Sequence, residues 1–354
     1  MKGLVLCGGL GTRLWPITHS LPKQLIPIAN KPVIFYIIDS LAEAGINEIG
    51  IVVSKNEQIF IDALNQYKNY DVTFEFIRQE APLGLANAVY TAKDFLGQDD
   101  FVMVLGDNLY EVDIKSFIDE FNKEPMNCTI LLKEVDEPKR FGVANIVDGI
   151  LVDLIEKPKN PPSNLAITGV YIFDKNISDA CMSIDKSWRN EYEITDAIKW
   201  LIDNGYKVEF DILEGWWRDL GKPKDILDAN HHKLNHISTE MNGIIDEKSE
   251  LTGSIIVGQN SKIYNSIIRG PAVIGDDTII ENSYIGPYSS ISNKIRIINC
   301  EIENSIILDG SYISNVINVI DSSIIERNCV IIKEELHRKV NTFVIGKNSK
   351  IIIN

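Results

Sequence analysis

The chain is expected to fold as an α/β domain with a mainly parallel sheet, followed by a parallel β-helix. Three observations predict this. Short β-rich runs alternate with amphipathic stretches up to about residue 240. After about residue 250, branched apolar residues recur every five or six positions instead. Between the two lies DILDANHHKLNHISTE, residues 225–240, whose pattern suits a joining helix.

In the first region the runs KGLVLCG, EIGIVVS, VTFEFIR, FVMVLGD and CTILLKE read as strands bounded by turn residues. PVIFYIIDSLAEAG reads as a helix, with Pro32 suited to its first turn and Gly45 to its end. Alternation of this kind predicts parallel strands covered by helices on both faces. Ligands of such sheets bind beyond the carboxyl ends of the strands. GGLGTR, QEAPLG at 79–84 and GDN at 106–108 all follow predicted strands, so they should converge on one face.

In the second region the repeating positions are Val257, Ile263, Ile268, Ile274, Ile280, Ile285, Ile291 and Ile297. They continue at Ile302, Ile307, Ile313, Val319, Ile324 and Val330. VGQNSKI, IGDDTII and IGPYSSI carry the start of a hexapeptide repeat. Each short strand can bury its apolar side only against neighbouring coils, hence a parallel β-helix. A β-sandwich is the plain alternative, but its strands lack so short a fixed period.

Composition limits the function classes. The 354 residues carry a net charge of −15, which argues against DNA or an anionic membrane as the main partner. Five cysteines without a CxxC pair read as reduced cytoplasmic thiols, with no disulfide framework or zinc site. No signal-peptide pattern precedes the first strand and no apolar run suggests a membrane span.

The stretch LCGGLGTRLWPIT places Gly8, Gly9 and Gly11 after a strand. It is not a dinucleotide fingerprint, because Leu14 stands where the last glycine belongs, and no Gly-Lys-Ser/Thr makes it a P-loop. It offers backbone N–H groups, Thr12 and the fixed cation Arg13, with Lys23 ten residues on. That set suits a polyphosphate better than a single carboxylate. A tight turn after an edge strand is the bland reading of the glycines alone.

GGLGTRLWPIT and PKQLIPIANKPVIFY resemble the opening of the sugar-1-phosphate nucleotidylyltransferases. The resemblance runs on through QEAPLGLANAV, FVMVLGDN, RFGVA, EKPK, TGVYIFD, SWRNEYEITDAIKWLIDNGY and GWWRDLGKP, covering nearly all of residues 1–235. It is closest to the long, thymidylyl-transferring form with a β-helical tail. It implies a Rossmann-like nucleotidyltransferase domain over 1–240 and a left-handed hexapeptide β-helix over 241–354. The implied reaction joins dTTP, or UTP, to glucose 1-phosphate and releases pyrophosphate, with Mg2+ as cofactor. The sugar phosphate would attack the α-phosphorus in line, so no general base is needed.

The resemblance also implies residue roles. Asp107 and Asp219 would hold the magnesium ion. Arg13 would grip the β- and γ-phosphates and Lys23 the α-phosphate, with Gly8, Gly9, Gly11, Thr12 and Gln24 completing the nucleotide site. Gln79 and Gly84 would read the base, a carboxamide being able to match the N3–H and O4 edge of thymine or uracil. Lys157 would bind the phosphate of the sugar 1-phosphate, and Arg189 would add a further phosphate contact. Glu156 would accept hydrogen bonds from sugar hydroxyls, Gly142 would offer a backbone N–H, and Thr168 and Tyr171 would line the sugar pocket. A buried strand tyrosine is the plain alternative for Tyr171. Cys7, Asn190 and Leu220 depart from the family pattern without removing a proposed ligand.

Hexapeptide coils also build acyltransferases, which usually need a histidine base. After residue 240 the one histidine is His337, in EELHRKVNT. The tail is therefore expected to serve packing or homo-oligomerisation. A dead scaffold keeping the fold would be expected to lack Arg13, Lys157 or one of the two aspartates; all are present. His232 and His236, spaced i, i+4, lack HExxH context and are read as surface histidines.

Overall fold

The computed structural model describes residues 1–9, 11–54, 57–316 and 318–333. The chain forms two compact units. One comprises Met1–Leu10 and Val33–Asp219, and the other Gly11–Pro32 with the chain from Leu220 on. The segment 11–32, which the expected boundary at residue 240 assigns to the first domain, thus packs with the β-helical region.

The first unit is built on a nine-stranded sheet. Its strands are β1 (Lys2–Leu6), β2 (Glu48–Val53), β3 (Thr73–Arg78), β4 (Phe101–Leu105) and β5 (Cys128–Glu134). They are joined by β6 (Gly142–Val147), β7 (Ile150–Glu156), β8 (Leu165–Phe173) and β9 (Val208–Ile212). The order is β7-β6-β8-β4-β1-β2-β3, with β5 also on β8 and β9 on β5. The neighbours β4-β1-β2-β3 all pair in parallel. β8 is antiparallel to β4, β5 and β6, and β7 to β6. The alternating pattern foretold the parallel block, and its strands are the expected ones. Of the antiparallel block the pattern predicts only β5 as a strand; β6, β7 and β8 are visible only as motifs.

Helix Val33–Glu43 starts directly after Pro32, and Gly45 follows its end in a left-handed conformation, φ 85°. Val33, Ile34, Ile37, Ile38, Leu41 and Ala42 form its buried stripe. Helices Leu85–Thr91 and Ile194–Asp203 pack onto the opposite part of the core with Phe101, Phe173 and Ile130. β1, β2 and β4 are apolar along almost their whole length, as strands covered on both faces must be.

Among the described residues of the second unit, strands stack in three all-parallel sheets of six, six and four. This is the arrangement of the expected left-handed β-helix. Most coils span 17 residues rather than 18, as when Thr278 N–H meets Ser261 Oγ. Three of the five-residue spacings, at 263–268, 280–285 and 297–302, fall at one corner, where Asn265, Asn282 and Asn299 take positive φ, a corner that Asn315 continues. Asparagine tolerates that region better than other side-chain-bearing residues. Asn265 donates to Asn282 at 2.6 Å and Asn299 to Asn315 at 2.7 Å. Val257 through Ile313 in the predicted series are fully buried.

The last three predicted positions need correction. Val319 is 46% exposed and Val330 also faces solvent, and Ile320, Ile325 and Ile331 pack on the core instead. Coils here lengthen to 18 residues, as between Ile306 and Ile324. A one-residue shift exchanges the two faces of a strand. Adjacent branched residues in VINVI, SSII and VII leave either frame plausible from sequence. His337 lies outside the described residues.

The joining helix runs Pro223–Leu234, shorter than expected, and the first β-helical strand begins at Glu240. Among the described residues no helix is long and apolar enough to cross a membrane.

Candidate active site

The parallel block fixes where its loops emerge. Cys7 N–H extends the β1–β2 ladder to Val52 at 2.7 Å, Gly106 N–H binds the Leu6 carbonyl at 3.0 Å, and Gln79 N–H binds Val53 at 2.8 Å. Gly8 and Gly9, Gln79 and Asp107 therefore leave the same edge of the sheet, as the pattern predicts.

Gln79 is only 6% exposed. Its Nε2 donates to Asn87 Oδ1 at 2.8 Å and to the Gly84 carbonyl at 3.2 Å. Both amide hydrogens are thereby engaged, and Oε1 is turned toward Gly8, where a Cβ would come within 2.9 Å of it. The carboxamide presents an acceptor, not the donor–acceptor pair expected from its chemistry. Asn87 sets this orientation and was missed in the sequence, although it is the one polar side chain in the helix stretch LANAV. Gly84 has φ 107°, and a Cβ there would lie 2.3 Å from the Tyr192 carbonyl oxygen. Tyr192 clasps the loop, donating to Leu83 at 2.7 Å and accepting from Ala86 at 3.1 Å.

Asp107 follows β4 and opens a short ribbon. Asn108–Tyr110 pairs antiparallel with Trp217–Asp219, placing Asp219 directly opposite Asn108. Two carboxylates more than a hundred residues apart in the chain are thus brought to adjoining positions. Asn108 Nδ2 donates to Asp107 Oδ1 at 3.1 Å. Trp217 Nε1 donates to Asn108 Oδ1 at 3.0 Å and to the Thr168 carbonyl at 2.9 Å, fastening the ribbon to β8. Arg140 lies 4.0 Å from Asp219 Oδ2. It is the first residue of the RFGVA motif and was not singled out from sequence.

A third group gathers around β6 and β7. Register sets Gly142 opposite Glu156. Lys157 Nζ lies 3.2 Å from Glu156 Oε1, and the Lys157 backbone, at φ 44°, donates to the Phe141 carbonyl. Arg189 spans Glu156 at 3.3 Å, Glu193 at 3.2 Å and Glu191 at 3.1 Å. Enclosed by three carboxylates, it orients Glu156 rather than presenting an uncommitted guanidinium to a phosphate. Burial raises the carboxyl pKa of Glu193, and that of Asp196 too, with Glu156 adding to both. Glu191 and Glu193 stand two and four residues after Arg189, a spacing that could have signalled this pairing.

Two expected lining residues are placed otherwise. Thr168 is fully buried and its hydroxyl donates to the Leu131 carbonyl at 2.8 Å. Tyr171 is buried in the core, stacked on Phe173 at 5.5 Å, and burial raises its hydroxyl pKa. Both support the strand from inside instead of lining a pocket.

In the second unit, Gly11 (φ 63°) precedes a turn of 3-10 helix at Thr12–Leu14, and its carbonyl accepts from Thr18 Oγ1 at 2.8 Å. Thr12 and Arg13 are exposed, while Lys23 is half-buried and Gln24 buried in a second such turn. Among the described residues, Gln24 Oε1 has no hydrogen-bond partner. His236 Nδ1 lies 2.9 Å from the His232 carbonyl oxygen.

Comparison with known proteins shows the family. A glucose-1-phosphate thymidylyltransferase of Streptomyces griseus is 40% identical over all of both chains. One of Streptomyces antibioticus is 42% identical over all of this chain and 99% of its own. The crystal structure of a Bacillus anthracis protein described as a putative glucose-1-phosphate thymidylyltransferase superposes with a TM-score of 0.63 at 34% identity, covering 68% of this chain and 98% of its own. The nucleotidyl transferase family model matches residues 2–236, and the chain belongs to that family.

Proposed function

We propose that the protein transfers a thymidylyl group from dTTP to glucose 1-phosphate, forming dTDP-glucose and pyrophosphate. The ribbon register that sets Asp219 opposite Asn108, beside Asp107, carries the reading. Two carboxylates with no thiol or imidazole suit a hard, oxygen-seeking divalent cation such as Mg2+. When bound, the cation would neutralise charge on the triphosphate. The full-length likeness to thymidylyltransferases supports the same substrates.

The chain's own residues supply binding and orientation. Arg13 and Lys23 offer fixed positive charge to the phosphates, as Arg and Lys do at polyphosphate sites. Gln79 Oε1 accepts the N3–H of thymine, which cytosine lacks, and Gly84 lets the loop approach the base. Glu156 accepts from sugar hydroxyls, and Lys157 meets the sugar phosphate. That phosphate is already a nucleophile at neutral pH, so its oxygen attacks the α-phosphorus while pyrophosphate leaves on the opposite side. No side chain need take a proton.

Uracil presents the same N3–H, so UTP is the second reading. The thymine 5-methyl contributes only about 1 kcal/mol by apolar burial. The test is product formation from four nucleoside triphosphates against glucose, glucosamine and N-acetylglucosamine 1-phosphates, each with magnesium and with chelator. Fastest turnover is expected for dTTP with glucose 1-phosphate and magnesium. Marked preference for UTP would overturn the thymidylyl assignment, and no turnover in any combination would overturn the enzyme reading.

A further inference from the structure

The loop segment Gly11–Pro32 ends in a hairpin, Pro27–Ile28 paired with Lys31–Pro32. Its tip is Ala29 and Asn30, with φ of 48° and 61°. Such left-handed pairs are usually glycine or asparagine, and alanine there is strained. Strain of this kind persists where surrounding structure over-determines it, and it clusters at functional sites.

The surroundings do over-determine it, within the second unit. Asn230, on helix Pro223–Leu234, is fully buried. Its Oδ1 accepts from the Ala29 N–H at 2.8 Å and from Ser290 Oγ at 2.7 Å, and its Nδ2 donates to the Tyr288 carbonyl at 3.1 Å. One side chain therefore ties the strained tip to a β-helical coil. Asn30 makes a second tie, donating from Nδ2 to the Ile291 carbonyl at 2.7 Å and accepting from Ser292 Oγ at 3.4 Å. Neighbouring contacts reinforce the coil side, with His231 packed on the Tyr288 ring at 4.3 Å. Ser20 hydrogen-bonds Glu326, farther along the β-helix. Leu14, Ile17, Leu21, Leu25, Ile26 and Ile28 are all buried, so the segment from Arg13 to the tip has an anchored apolar side.

We propose that the β-helix positions the triphosphate-gripping segment, and that Asn230 and Asn30 are positioning residues for Arg13 and Lys23. This rests on the functional reading above, in which those two cations meet the nucleotide phosphates. The tail then has a part in catalysis separate from any role in assembly. Aligning charges on a transferring phosphoryl group is sensitive to displacements of about 1 Å.

The test uses the full-length chain with Asn230→Ala. As a second variant, Asn30→Gly keeps a residue at ease with positive φ while removing both side-chain ties. The KM for dTTP should rise roughly tenfold or more in each, with the KM for glucose 1-phosphate little changed. Hydrogen exchange should quicken at residues 24–31 while the β-helical coils stay protected. If Asn230→Ala fails to fold, Asn30→Gly decides. Unchanged dTTP KM in a folded variant, or equal rises in both KM values, would overturn the proposal. Absence of wild-type turnover would instead retire the functional reading, and the exchange difference would still decide the anchoring: unchanged exchange at 24–31 overturns it.

Discussion

The two units carry their order in different ways. In the sheet unit, neighbouring strands come from distant parts of the chain, and β1 sits between β2 and β4. Each loop at the strand ends is a separate construction, such as the Gly84 turn clasped by Tyr192 or the ribbon that brings Asp219 to Asn108. In the β-helix every coil repeats its predecessor, with interior serines and threonines handing hydrogen bonds from coil to coil. A repeat touching only its neighbours tolerates local damage, whereas a non-local site does not. Chemistry therefore gathers where the chain is least repetitive. Where the β-helix meets the proposed site's segment, side chains from outside the coils, Asn30 and Asn230, bond to a coil whose ladder continues unbroken.

Substitutions can break this contrast. The largest effect is expected in the sheet unit. Asp107→Asn and Asp219→Asn should each lower turnover by roughly a thousandfold with little change in melting temperature. Turnover within about tenfold of wild type would remove that residue from the metal site. In the β-helix, Ile280→Ala empties a fully buried position and should cost about 3 kcal/mol in thermal or denaturant unfolding. It lies on a different sheet of the β-helix from the coil face tied to the hairpin, so both KM values should stay near wild type. A selective loss of dTTP affinity would blur the proposed division.

Smaller effects should follow from orienting side chains. Asn87→Leu removes the acceptor that holds Gln79, so the preference for dTTP over dCTP should fall roughly tenfold in competition assays. Unchanged discrimination would mean that Gln79 is oriented by Gly84 alone. Glu193→Gln should be the mildest change. Because burial raises the folded-state pKa of Glu193, its carboxyl favours folding at acid pH, and this stability is lost as pH rises through the folded pKa. The variant should therefore melt about 2 °C higher at pH 7, a gain that vanishes toward pH 4. A gain persisting at pH 4 would exclude that cause.

Much of the fold was legible for physical reasons. Strands buried on both faces must be apolar throughout, and coil interiors must repeat. Legibility stopped where two readings satisfy the same rule. Val319 and Ile320 are both branched, so only the longer coil decides which turns inward. Among site residues, Asp107 and Gln79 sit at strand ends that periodicity locates, whereas Glu156 was legible only through the EKPK motif. Asp219 could be joined to Asp107 only by family resemblance, since ribbon pairing is non-local. Partners elude single-residue reasoning as well. Arg189 reads as a phosphate ligand from sequence, yet Glu156, Glu191 and Glu193 surround it, and Thr168 reads as a sugar-pocket residue, yet its hydroxyl meets Leu131.

The central claim is a direct transfer to the sugar phosphate, achieved by positioned charges without a covalent enzyme intermediate. The stereochemical course at the α-phosphorus tests it most directly, using dTTP made chiral there by sulfur substitution, with glucose 1-phosphate and magnesium. Inversion of configuration in the dTDP-glucose analogue is predicted. Retention would reveal two successive displacements and contradict the account.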